Sequence, residues 1–378
     1  MPQGRSVRIA PDVSSLPAGQ WDALDATGNP FTSHRFLSLL EEAGSVGGRS
    51  GWKPAPLVME GQDTSLSAAV PLYIKGHSQG EYVFDHGWAE AWHRAGGSYY
   101  PKLQIAVPFT PATGPRILAR NRDDAAAMIQ AIEMLCDQHG MSSAHATFVE
   151  QDQLPLFRDA GWLIRQDVQF HWQNRNYADF EAFLDSLSSR KRKAIRKERA
   201  RATQGLQMLD LTGSEVRPDH WDAFWQFYQD TGARKWGQPY LTRATFDLIG
   251  ERMADEVLLM LAMDNGTPVA GALNFIGPQA LYGRYWGTLV DRPFLHFELC
   301  YYRAIDAAIE RGLVRVEAGA QGAHKLARGY EPVHTFSAHY ITDEGFRAAV
   351  ADFVKREAEQ VGADRDMLAA MVPFRKAE

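Results

Sequence analysis

Cysteine is almost missing from this chain. Its 378 residues include only Cys136 and Cys300, both in helix-like segments, so a disulfide framework is excluded and a reducing compartment is expected. Zinc signatures are missing too: the 12 histidines form no H-x-x-x-H, and no C-x-x-C occurs. No bound metal or cofactor is therefore expected. Neither G-x-G-x-x-G nor G-x-x-x-x-G-K-[ST] is present, which removes the sequence signals of a dinucleotide fold or a P-loop. Excess charge is also lacking. The 40 Lys and Arg against 46 Asp and Glu leave −6, so no overall field recruits DNA or an anionic membrane, and any anion site must be local. The longest apolar run, Val257–Met263, is far too short to span a bilayer. Met1-Pro2-Gln3-Gly4-Arg5 lacks the apolar run of a signal peptide. These absences lead to the expectation of a cytoplasmic protein, with peripheral contact at the inner membrane as its only membrane association.

What is present is ordinary globular composition, 45% apolar and 23% charged, in a length that favours two domains. Helix-like Ser14–Ala26 and Ser33–Ala43 precede strand-like Ala55–Glu60, Ser65–Ile74 and Leu103–Pro108. A helix over Asp123–His139, a strand over Ala144–Val149, a short helix over Leu154–Ala160 and a strand over Trp162–Trp172 follow. The second half replays this order. Strands Val257–Met263, Pro268–Ile276 and Ala280–Leu289 lead to helix Phe294–Arg311, strand Val314–Ala318, a short helix around His324–Arg328 and strand Val333–Ile341. Gly161-Trp162 precedes His171-Trp172 by the same interval that separates Gly329-Tyr330 from His339-Tyr340. A duplication explains both the interval and the element order, with a boundary near Gln173–Tyr177.

Several strings are distinctive: Phe84-Asp85-His86-Gly87-Trp88, Val107-Pro108-Phe109-Thr110-Pro111, Ser189-Arg190-Lys191-Arg192-Lys193, Lys235-Trp236-Gly237-Gln238-Pro239-Tyr240-Leu241, Tyr282-Gly283-Arg284-Tyr285-Trp286-Gly287, His296-Phe297-Glu298-Leu299-Cys300-Tyr301-Tyr302 and Glu317-Ala318-Gly319-Ala320-Gln321-Gly322-Ala323-His324-Lys325. Together they resemble the FemAB-like "peptidoglycan biosynthesis/recognition" family, over nearly the whole chain. The element order of each half resembles the acyl-CoA N-acyltransferase (Gcn5-related, GNAT) fold, and two tandem copies resemble the Fem-type peptidyltransferases. The resemblance implies an α/β (α+β) protein of duplicated GNAT-like domains, mixed sheets flanked by helices. Residues 1–173 would form the first and 174–378 the second, which would carry most of the active site.

Three segments carry candidate chemistry. In the helix from Phe294, Glu298 shares an apolar stripe with Tyr302, Ile305 and Ile309, an environment that raises a carboxylate's pKa toward that of a general base. The alternative is a buried Glu tied to an arginine or a backbone donor. His296 in the first turn is placed to meet substrate. The second segment ends a strand at Glu317, and Gly319 and Gly322 free the backbone for close approach to a ligand. Acyl transfer needs a proton acceptor for the amine and a donor to the tetrahedral oxyanion. Glu317 or His324 fits the first role; Lys325 or loop N–H groups fit the second. Lys325-Leu326-Ala327-Arg328-Gly329-Tyr330 resembles the Lys-x-x-x-Gly-aromatic run of Fem-type enzymes, which implies that Lys325 assists transfer. The third segment is basic, with Arg190, Lys191 and Lys193 at a helix start suited to phosphates. Trp236, Tyr240, Arg284 and Tyr285 are candidates to wall the substrate groove, and Asp85 and His86, read as a loop, to contact substrate.

The expected activity is direct N-acyl transfer from acyl-CoA, a cosubstrate, to a small-molecule, lipid (sphingoid-like) or cell-envelope amine. Two alternatives stand beside it. One is Fem-type transfer from aminoacyl-tRNA to a peptidoglycan precursor, and the other is a non-catalytic module that binds cell-envelope anions.

Overall fold

The computed structural model describes residues 6–61, 63–235, 239–319 and 322–375, with the side chains of 233–235 and 323 left aside. The chain gathers into two compact units, Met1–Asp167 with His334–Gly362, and Val168–Val333 with Ala363–Glu378. Their segments interleave, whereas a single cut near Gln173–Tyr177 was expected from the sequence.

In the first unit the strands are β1 (Ser6–Ile9), β2 (Trp52–Pro54), β3 (Leu57–Glu60), β4 (Leu66–Val70), β5 (Leu72–Lys75), β6 (Lys102–Ile105), β7 (Leu118–Ala119) and β8 (Ser143–Thr147), with β9 (Leu163–Gln173) beginning here. Pro71, which has no N–H to give a ladder, separates β4 from β5 where one strand was expected. In the second unit come β10 (Gln207–Leu211), β11 (Val257–Asp264), β12 (Thr267–Ile276), β13 (Ala280–Thr288) and β14 (Arg315–Glu317), and β15 (Glu331–Ile341) starts here and ends in the first. The first seven residues of β11 are buried, as an uninterrupted apolar run requires. Asn265 and Gly266, both at positive φ, close its hairpin with β12.

The two units repeat one pairing scheme. In the first, β6 lies parallel to β8, with Gln104 opposite His145, and β8 lies antiparallel to β15, with His145 opposite His339. In the second, β13 lies parallel to β14, with Tyr282 opposite Glu317, and β14 lies antiparallel to β9, with Glu317 opposite His171. The closing strand of each unit thus comes from the other half of the sequence, which is why the units interleave. Both closing strands are entered the same way. Leu154–Asp159 and Ala323–Arg328 are short helical segments that stop at Gly161 and Gly329, at φ 79° and 84°. Gly161 N–H bonds to Arg158 O and Trp162 N–H to Phe157 O, and Gly329 N–H bonds to Leu326 O and Tyr330 N–H to Lys325 O. A Cβ would strain this left-handed position, so glycine recurs.

Each unit has its own core. Met128, Ile129 and Ile132 of helix Arg122–Gln138 pack with Leu103, Ile105, Ala144 and Ala146 in the first. In the second, Ile305 and Ala308 of Arg303–Glu310 pack with Trp172, Leu281 and Val316. Trp172, Leu281 and Val316 face this helix, so their alternates His171, Tyr282 and Glu317 lie on the opposite face of the sheet.

Candidate active site

The sheet face opposite the helix gathers the candidate chemistry of the second unit. The pairing of β13 with β14 runs from Ala280 and Arg315 to Tyr282 and Glu317. Beyond that row β13 carries a bulge at Arg284, between the pairs Leu273–Tyr285 and Asn274–Gly283, while β14 ends at Glu317, two residues before Gly319 at φ 78°. Two parallel strands that part after a shared row leave backbone groups open for a ligand, and bulges recur beside active sites.

Glu317 sits on that row, 4% exposed. Its Oε1 accepts from Arg315 Nε at 2.8 Å, and its buried Oε2 has no hydrogen-bond partner among the described residues. His171 Nε2 lies 3.8 Å from that oxygen and 3.4 Å from Gln169 Oε1. Burial pushes the His171 pKa down, the Glu317 carboxylate pulls it back, and Arg315 and Lys325 lower it further. Lys325 is 1% exposed. Its Nζ donates to Gly319 O at 2.8 Å, and burial brings its pKa down to about 8. Glu317, His171 and Lys325 therefore form one group.

The other candidates lie in different settings. Glu298 is buried, but Arg199 holds it through Nε to Oε2 at 3.0 Å and Nη2 to Oε1 at 2.9 Å, while also reaching Asp306 at 2.7 Å. Burial raises the Glu298 pKa and Arg199 opposes the rise. This is the arginine-tied alternative, and it leaves the carboxylate engaged. Phe294, at φ 67°, starts this helix, and Glu298–Tyr302 make a π turn, an irregularity found often at functional sites. His324 is exposed and its Nε2 lies 2.9 Å from Tyr301 Oη. His296 packs between Trp286 and Tyr301, with ring centroids 5.1 and 5.2 Å away. Arg328 lies 3.4 Å above the Phe297 ring and bonds His324 O and Glu198. Together these form an aromatic–histidine wall one residue along from Lys325.

In the basic helix, Ser189–Thr203, the arginines divide. Arg192 pairs with Asp185, Arg196 with Glu181, and Arg199 with Glu298. Arg190, Lys191, Lys193 and Lys197 have no ion-pair partner among the described residues. Arg190, Lys193, Lys197 and Arg201 are exposed and fall on one helical face. Arg284 lies 5.3 Å from the Tyr285 ring, and Tyr285 packs edge-on against Tyr228. Tyr240 is half-buried. Trp236 lies outside the described residues.

Asp85 and His86 do not lie in the loop that the sequence suggested. They start helix His86–Arg94, where His86 is exposed and Asp85 is buried. Asp85 accepts from Lys102 Nζ and from Tyr99 Oη at 2.8 Å. Lys102 also bonds Glu81 at 2.8 Å and Ser78 at 2.9 Å. His145 Nδ1 meets His339 Nδ1 at 2.7 Å, and their Nε2 atoms contact Ser143 and Ser337 at 2.8 Å. Burial by itself would raise the Asp85 pKa, but Lys102 and His145 together outweigh it and hold the carboxylate below its usual range. The sequence reading missed this network and missed His171. A histidine alternating with Phe170 and Trp172 was the available signal for the latter. Among the described residues no three histidine, cysteine or carboxylate side chains converge as a metal site, and no helix is long and apolar enough to cross a membrane.

The two-unit mixed α/β fold is one that this chain shares with known structures. The chain belongs to the FemAB-like family, described as peptidoglycan biosynthesis/recognition, whose model matches residues 12–376. No curated protein sequence matches it. Among solved structures it is similar to FemX, at 12% identity and a TM-score of 0.57, covering 89% of this chain and 98% of that one. It is also similar to the C-terminal domain of a putative lysylphosphatidylglycerol synthetase from Agrobacterium fabrum, at 11% identity and TM-score 0.52, over 89% and 96% of the two chains. The L-PGS of Bacillus licheniformis matches at 11% and 0.51, over 92% and 98%.

Proposed function

We propose that this chain transfers an acyl group from an acyl-CoA thioester to the amine of a small-molecule or lipid acceptor, directly and without a covalent enzyme intermediate. The observation that carries the reading is the buried Lys325 ammonium, held among the described residues by one neutral carbonyl and close enough to His171 to depress its pKa. Burying a charge is expensive unless it is compensated, and such a lysine is poised for an anion that develops during reaction. When the amine attacks the acyl carbon, the carbonyl oxygen becomes that anion. The exposed face of Arg190, Lys193, Lys197 and Arg201 then serves the donor's phosphates. Its length, about 16 Å at 1.5 Å per residue over 11 residues, also suits an aminoacyl-tRNA, the alternative donor.

The test supplies acyl-CoA of graded chain length with a panel of amines and follows free thiol together with acylated product by mass spectrometry. Lys325→Met should lower turnover about a hundredfold, with KM little changed, as loss of an oxyanion donor does. If no donor and amine pair gives product, the reading fails.

A further inference from the structure

Glu317 and His171 face each other in a fixed order of depth. The Glu317 side chain is 5% exposed and its free oxygen is closed to solvent, whereas His171 retains 10%. His171 Nε2 lies 3.8 Å from Glu317 Oε2 and 3.4 Å from Gln169 Oε1; with the proton of the neutral ring on Nε2, toward these oxygens, Nδ1 keeps its lone pair. We propose that His171, through Nδ1, accepts the proton of the attacking amine, and that Glu317 acts behind it as a positioning residue. This deepens the acyl-transfer reading and rests on it.

The neutral amine nitrogen bonds to the thioester carbonyl carbon, and the carbonyl electron pair moves to oxygen, beside Lys325. An N–H proton passes to His171 Nδ1, giving an imidazolium whose Nε2–H faces the Glu317 carboxylate. The tetrahedral species then collapses, the C–S bond breaks, and the imidazolium returns the proton to the leaving thiolate. The depth order matches the general arrangement in which a carboxylate behind a histidine fixes its tautomer and steadies its charged form.

The same row of the first unit supplies the contrast. There His339 occupies the position of His171, and His145 that of Glu317. His339 has Nδ1 on His145 and Nε2 on Ser337, and is 2% exposed. Both of its nitrogens are engaged, so that histidine has no lone pair for a ligand. The duplicated framework keeps the row but gives it different partners in the two units.

The experiment has two arms. In the first, the His171 imidazole is titrated by NMR in the wild-type chain and in Glu317→Gln, with no substrate present. Glu317→Gln should move the His171 pKa downward, because the carboxylate favours the charged ring; an unchanged titration overturns the pair. In the second, single-turnover rates are measured against pH with an acyl-CoA and an accepted amine. His171→Gln should slow acyl transfer by about a hundredfold or more and remove the limb that rises through the wild-type His171 pKa. His171→Gly should regain rate with added imidazole. A folded His171→Gln that keeps the wild-type rate and profile refutes the base. If the wild type itself transfers nothing, the acyl-transfer reading and this role fall together, whereas an uncoupled titration or an unaltered profile in an active enzyme removes this inference alone.

Discussion

Lys325 shows how one residue is placed against its own stability. A lysine whose folded pKa is near 8 rather than the ordinary 10.5 binds fewer protons folded than unfolded between those values. Stability therefore rises as pH increases from about 8 to about 10.5, and the unfavourable contribution is full below pH 8. Lys325→Met, similar in volume and uncharged, should raise the melting temperature at pH 7 while it lowers turnover, and the gain should shrink toward pH 10. Thermal melts at the two pH values check this. Lys325→Ala is a poorer probe, because the side chain is buried and its removal leaves a cavity. Glu317 and Lys325 were legible as candidates from a strand end followed by glycines. His171 was not, because the need for it arises only when β9 pairs with β14, which sequence order does not announce.

At the level of elements, the basic helix separates into cations that hold the fold and cations that do not. Arg199 compensates the buried Glu298. Removing one partner of a buried pair costs about 3–5 kcal/mol, so Arg199→Met should lower the melting temperature by several degrees. Arg190→Ala, Lys193→Ala and Lys197→Ala together should leave it unchanged. That triple variant should instead raise KM for the phosphorylated donor, more at low salt than at high salt, since exposed charges are screened over a few ångströms in concentrated salt. Equal KM values at both ionic strengths would make the face a solvated one only. Apolar periodicity announced the main strands and the long helices. It did not announce helix His86–Arg94, where Asp85-His86-Gly87-Trp88 read as a loop because glycine and aspartate signal turns as readily as helix starts. Nor could it anticipate that Asp85 is consumed by Lys102, since a lysine in a buried strand runs against its usual exposure.

Across the molecule, the first unit holds a buried ion network around Lys102, and the second holds the group of Lys325, Glu317 and His171. Asp85 has a lowered pKa, so its contribution to stability is present above the unfolded value near 3.8 and is lost as pH falls below it. Asp85→Asn should leave Lys102 undercompensated and lower the melting temperature at pH 7, with the difference from wild type narrowing toward pH 3. Hydrogen exchange resolved by segment should show the loss in residues 52–167. The duplicated order was legible because elements repeat. The interleaving was not, because a strand carries no mark of which sheet it will join.

That interleaving sets a timetable for biosynthesis. β8 ends at Thr147, and its antiparallel neighbour β15 is complete only at Ile341. At the usual 5–20 residues per second, a ribosome takes roughly 10–40 s to supply it. Throughout that interval the nascent first unit presents an unpaired strand edge of the sort that recruits other chains. Release from the ribosome before residue 341 would leave that edge open for good, so for this chain the vulnerability of a truncated product is decided by where the stop falls.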